Sequence, residues 1–90
     1  MEISYDPTKR EKTLRERRLD FAEAPIVFGG RTFTARDDRY DYGETRWITV
    51  GLLRGRMTVI VWTPRGGATH IISFRKANDR EEKKYKDRLG

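Results

Sequence analysis

The chain has no cysteine and a single histidine, His70. The first absence excludes a disulfide framework and any thiolate metal site, and the second excludes a multi-histidine site. Long hydrophobic runs are missing too: the longest uninterrupted one is Val59 to Trp62. With an acid at position 2 and no apolar h-region near the start, neither a signal peptide nor a membrane span is expected, so the cytoplasm is the default location and no membrane is a partner. Apolar residues are scarce overall, 36% against 38% charged. Ninety residues therefore predict one domain, 1–90, with a thin core and apolar surface left for an oligomer or partner interface.

What apolar sequence there is concentrates between Thr45 and Ala77, where β-branched and aromatic residues are cut twice by glycine-bearing turns. This reads as three antiparallel strands. The first runs from about Arg46 to Leu53, with Ile48, Val50 and Leu52 on one face and Trp47, Thr49 and Leu53 on the other. Arg54-Gly55 is a two-residue hairpin loop. The second strand spans Arg56 to Thr63, and Pro64 to Gly67 form the next turn because proline cannot donate a ladder hydrogen bond. In the third, simple alternation sets Ile71, Ser73 and Arg75 against His70, Ile72 and Phe74. The middle strand is apolar on both faces, so both sides of the sheet need at least partial cover. Helices cover one face, and the other is left for a partner.

Before the meander, Glu2 to Tyr5 alternates as a short edge strand, and Asp6-Pro7 signals a helix start. The helix from Pro7 to about Arg18 is almost wholly charged, with Leu14 as its one sizeable apolar residue, expected against the sheet beside Arg10 and Arg17. Asp20 and Glu23 read as a capping box opening a second short helix that Gly29-Gly30 ends. Arg31 to Arg36 alternates as a strand, and Asp37 to Gly43 reads as a solvated acidic loop without the ligand spacing of a cation site. After the meander, Asn78 and Glu81 form a capping box for a last helix anchored by Tyr85 and Leu89. The order β-α-α-β-β-β-β-α predicts an α+β domain, a small twisted antiparallel sheet with two N-terminal helices and one C-terminal helix.

The net charge of +6 is unevenly spread. Residues 1–43 carry nine basic and nine acidic side chains, whereas residues 44–90 carry eleven and five. A basic half of this kind suits a polyanionic partner, nucleic acid first and an acidic protein second.

Several segments, in order, resemble the BrnT-type toxins of bacterial toxin–antitoxin systems, small ribonucleases with a RelE-like fold. They are Tyr5-Asp6-Pro7 with its charged helix, Leu19 to Ala24 with Val27-Phe28, and Gly43 to Trp47. The similarity continues through Gly51, Gly55-Arg56, Ile71 to Ala77, Arg80-Glu81 and Tyr85. One departure stands out: many members end the first helix with lysine–histidine–glycine, others with glutamate–arginine–glycine, and this chain has Glu16-Arg17-Arg18. A mechanism built on that histidine does not carry over. The resemblance implies RNA cleavage without a metal or other cofactor, inhibition of translation, and neutralisation by a BrnA-like ribbon-helix-helix antitoxin. Operator DNA is then reached only through the antitoxin, and a homodimer is a further option.

Cleavage without a metal needs the 2′-hydroxyl to attack the neighbouring phosphate, and guanidinium forks suit the charge that grows there. Arg46 and Arg75, at the boundaries of meander strands, are the leading candidates to converge on one phosphate, with Arg17 added by family position. Glu44 is the leading general base if its pKa is raised, and otherwise an ion-pair partner of Arg46 or Arg75. Arg80, Lys76, Tyr85 and Arg10 are candidate RNA contacts, Tyr85 being also a core anchor. His70 reads as structural. Two rival functions stand beside this one: a non-catalytic basic module binding RNA or protein, in which Trp47, Trp62, Tyr40 and Tyr42 stack on bases, and a decayed toxin acting only as co-repressor.

Overall fold

The computed structural model describes residues 1–90. Its elements are β1 (Ile3–Tyr5), α1 (Pro7–Arg17), a 3-10 turn (Phe21–Glu23), α2 (Ala24–Phe28), β2 (Thr32–Arg36), β3 (Trp47–Leu53), β4 (Arg56–Arg65), β5 (Ala68–Lys76) and α3 (Asp79–Leu89). Three helices and one five-stranded sheet, in the order β1-β5-β4-β3-β2, make it α+β. The sheet is mixed where an antiparallel one was expected: β1 lies parallel to β5, pairing Ile3 with Thr69 and Tyr5 with Ile71. A parallel neighbour needs a long crossover, and everything from α1 to β4 serves as that connection.

The meander forms as its composition dictates, with two corrections. β4 continues through Pro64 to Arg65, and the turn narrows to Gly66-Gly67, both at positive φ (57° and 80°). Proline is tolerated there because β3 pairing ends at Trp47 opposite Trp62, so Pro64 has a strand on one side only. The second correction is a bulge. Val61 pairs with Ser73 but Trp62 with Ile71, leaving Ile72 as an extra residue. A single inserted residue reverses the alternation, so Ile71 and Phe74 enter one core together instead of facing apart.

That first core joins Phe21, Ile60, Ile71, Phe74, Val27 and Leu19 under the N-terminal half of the chain. α2 approaches β3 at Gly51, where a Cβ would stand 2.6 Å from Val27 Cγ1, so only glycine fits without displacement. On the opposite face Val50, Met57, Val59, Ala77 and Leu89 form a second core beneath α3. The face expected to await a partner is thus covered in part by the chain's own last helix.

α1 departs from its expected packing. Asp6 caps it, accepting from the Thr8 amide at 2.9 Å. Yet no residue of α1 is buried, and Leu14, expected against the sheet, is 43% exposed. Polar links hold the helix instead: Arg10 chelates Asp20 at 2.8 and 3.0 Å, and Arg17 Nη1 donates to the Phe74 carbonyl at 3.2 Å. The helix ends on Arg18 in the left-handed region (φ 60°), whose amide closes onto Leu14 O at 3.1 Å. Asp20 caps a 3-10 turn through the Ala22 amide, but Glu23 does not close a capping box; it pairs bidentately with Arg54. The acidic loop is also less solvated than expected, because Asp37 is buried against Arg39 and the Tyr42 hydroxyl.

Candidate active site

The C-terminal ends of α1 and β5 meet at one edge of the sheet. β1 pairs with β5 only as far as Ile71, so Ile72 to Lys76 have no strand on that side and α1 stands beside them. Between the two lies an open recess of about 390 Å³ lined by Arg17, Arg18, Arg75, Lys76 and Glu16. Four cations line it against Glu16, and one of them, Arg75, is also paired with Glu81, so the recess keeps a net positive charge that suits an anion.

Arg75 is the most firmly held of the four. Its Nη1 and Nη2 each donate to Glu81 at 2.8 Å, and Glu81 in turn accepts from the Asn78 amide as half of the α3 capping box. The Arg75 guanidinium pulls the Glu81 carboxyl down to about 2, so the pair is fully ionised at neutral pH. Glu81 takes one hydrogen from each amino group and the Lys76 carbonyl, 3.4 Å away, faces the other hydrogen of Nη1, leaving the edge formed by Nε–H and the outer Nη2 hydrogen to meet a phosphate. Arg17 is fixed at the helix end by the Phe74 carbonyl.

The sequence-predicted residues divide between several places. Arg17, Arg75 and Lys76 come together here. Arg46 does not join them: register places its backbone four residues along β3 and two strands across from Arg75, about 16 Å away by standard strand spacings. Arg46 lies over the Tyr42 ring at 3.9 Å and donates to Glu44 at 3.2 Å. Glu44 also accepts from Arg65 at 3.0 Å. Flanked by Arg65 and Arg46, its carboxyl is held below the usual range, the reverse of what a general base requires. Its ion-pair partners are Arg46, as anticipated, and Arg65 in place of Arg75.

Arg80 is exposed on the first turn of α3, outside the recess. Tyr85 is half-buried, its ring 5.3 Å from Phe33, as an anchor of the second core. Arg10 is engaged by Asp20 and stands 5.7 Å over the Tyr5 ring. His70 sits toward the far end of β5 with Ser4 Oγ 2.8 Å from Nδ1, and burial, ahead of the Arg65 charge, lowers its pKa. Trp47 and Trp62 stack across β3 and β4, and Phe28 packs edge-on to Trp62, so Trp62 is built into the first core's margin with Trp47 laid on it. Sequence reasoning missed Arg18 and Glu81 as members of the site. The capping box was the available signal for Glu81, because a carboxylate turned back toward the start of α3 is also turned toward the end of β5.

The largest recess in the molecule, about 490 Å³, lies elsewhere, between the β3–β4 hairpin and α3. Its Asp79, Glu82, Lys83 and Lys86 balance in charge, so it offers no preference for an anion.

As a class, the molecule is a small basic α+β domain with an open cationic recess fixed by helix ends and a strand edge. Residues 5–81 match the family model described as the ribonuclease toxin, BrnT, of type II toxin–antitoxin systems, and the chain belongs to that family. The family is one of ribonucleases paired with an antitoxin. A search of curated proteins returned no match.

Proposed function

We propose that residues 1–90 act as a single RelE-like toxin domain: a metal-independent RNA endonuclease of the cytoplasm that inhibits translation. In this reading a BrnA-like ribbon-helix-helix antitoxin neutralises it and carries the complex to operator DNA. The observation that carries the proposal is the convergence of Arg17, Arg75 and Lys76, with Arg18, on one recess. In the reaction the 2′-oxygen attacks the adjacent phosphorus and the P–O5′ bond breaks. The products are a 2′,3′-cyclic phosphate and a 5′-hydroxyl, one proton leaving the 2′-oxygen and one reaching O5′. Arg75 and Arg17 neutralise the charge that develops on the non-bridging oxygens, and Glu81 holds Arg75 in place for that task. Glu44 and Arg46 stand apart from the reacting phosphate and organise the loop that precedes β3.

One observation favours the co-repressor reading as the alternative. Glu44 and Glu81 are both drawn down by arginines, so neither is tuned for proton transfer near neutral pH. The two are separated by incubating the purified chain with RNA in EDTA. Fragments ending in 2′,3′-cyclic phosphate, lost in Arg75→Ala by about 100-fold or more, support the nuclease. Intact RNA at every enzyme concentration supports the co-repressor.

A further inference from the structure

The recess at Arg75 does not end at Arg17. A second one, about 230 Å³, shares Glu16 and Arg17 with it and runs back along α1 past Thr13 and Lys12 to Lys9, with Ser73 on the β5 side. Residues 9, 12, 13, 16 and 17 follow the i, i+3, i+4, i+7, i+8 spacing of a single helix stripe. In a helix packed on a sheet such a stripe is apolar. Here it is Lys, Lys, Thr, Glu, Arg, and no residue of α1 is buried. The helix therefore turns three cations and one carboxylate toward Ile72 and Ser73 on a strand edge with no further strand, a net positive lining that suits an anion.

We infer that the groove between α1 and β5 is a track for the backbone of single-stranded RNA, in which Lys9 and Lys12 hold phosphates flanking the one gripped by Arg17 and Arg75. This rests on the nuclease reading and extends it to the substrate's form. Lys9 and Arg17 are eight residues apart, about 12 Å along the helix axis. That length exceeds a single phosphate contact, so Lys9 and Lys12 reach phosphates other than the one at Arg17. A cationic groove that follows one backbone is the arrangement by which proteins hold a single strand without regard to sequence.

The test is the salt dependence of binding to a 2′-O-methyl oligonucleotide, which cannot be cleaved because its attacking oxygen is blocked. Each single-strand phosphate contact contributes about 0.7 to the slope of log K against log salt. The Lys9→Gln/Lys12→Gln double variant is expected to lower the parent slope by about 1.4. A charge-matched control, Lys83→Gln/Lys86→Gln on α3, is expected to keep the parent slope. Both pairs are exposed, and circular dichroism verifies the fold. If the α1 variant keeps the parent slope, or the α3 control loses as much, the track is wrong and attraction follows net charge alone. Cleavage by the parent, measured in the same preparation, separates the two failures. A parent that cuts RNA while Lys9 and Lys12 leave the slope unchanged overturns only the track, whereas a parent that neither binds nor cuts overturns the nuclease reading with it.

Discussion

Replacing Glu81 by glutamine removes one negative charge from the group that fixes Arg75 while keeping the side chain's shape. Glutamine at the third helical position still serves a capping box, so the link to the Asn78 amide, 2.9 Å in the parent, is retained in kind. What disappears is the charge-assisted pair of bonds to Arg75, each 2.8 Å. A pKa lowered from 4.5 to about 2 corresponds on paper to roughly 3 kcal/mol of linkage. Arg75 is 39% exposed on its side chain, so solvent screening reduces the expected cost to about 1–2 kcal/mol.

The pH dependence of that cost is specific. A carboxyl whose folded pKa lies below its unfolded value stabilises the fold fully above the unfolded value, and the contribution fades as pH falls toward the folded one. Urea unfolding is therefore expected to show Glu81→Gln less stable than the parent by about 1–2 kcal/mol at pH 7. The gap narrows below about pH 4.5 and nearly closes at about pH 2. Cleavage should fall as well, and Glu81→Gln should add little to Arg75→Ala, since the carboxylate acts through the guanidinium. A stability gap unchanged between pH 7 and pH 2.5, or full additivity of the two substitutions, would falsify the assignment of Glu81 as the residue that positions Arg75.

Three other experiments are informative. Arg18→Gly relieves a left-handed backbone that costs an arginine about 1 kcal/mol, so it should raise the unfolding midpoint while weakening RNA binding by removing one cation from the recess. Gly51→Ala drives a methyl into Val27 Cγ1 and should destabilise by about 1–3 kcal/mol; the Gly51→Ala/Val27→Ala double variant should lose less stability than the sum of the two single losses, as read by thermal melts. Arg17→Ala and Arg75→Ala should each reduce RNA cleavage far more than Glu44→Ala, and equal losses from all three would place the reacting phosphate nearer the loop before β3 than the end of β5.

Much of the fold was legible because its elements are announced locally. Asp6-Pro7 and Asn78 with Glu81 state where helices begin, and the runs around Val50, Ile60 and Phe74 state where strands pair. The order of elements followed from those signals alone. The parallel pairing of β1 did not, since three residues of alternation carry no direction. Nor did the bulge at Ile72, because an inserted isoleucine looks like any other strand residue until its partner is known. The site was legible by residue type and only partly by position. Arg17, Arg75 and Lys76 were identified and do meet, whereas Arg46 was grouped with Arg75 on the strength of two strand boundaries that lie at different ends of the sheet.

The placement of α1 explains why a chain so poor in apolar residues can still build a site. Leu14, the residue that would have pulled this helix onto the sheet, is left in solvent, and Leu19 and Phe21 in the following turn supply the burial instead. The helix is then held at its ends, by Arg10 on Asp20 and Arg17 on the Phe74 carbonyl, rather than along its length. A helix held that way leaves a gap beside β5, and the side chains facing the gap are free to be cationic because none of them is needed for the core. Replacing Lys12 and Glu16 with leucine should draw α1 onto the β5 edge, stabilising the fold by burial while closing the groove to RNA. A variant that gained stability and still bound RNA with the parent's salt dependence would show that the gap is incidental to binding.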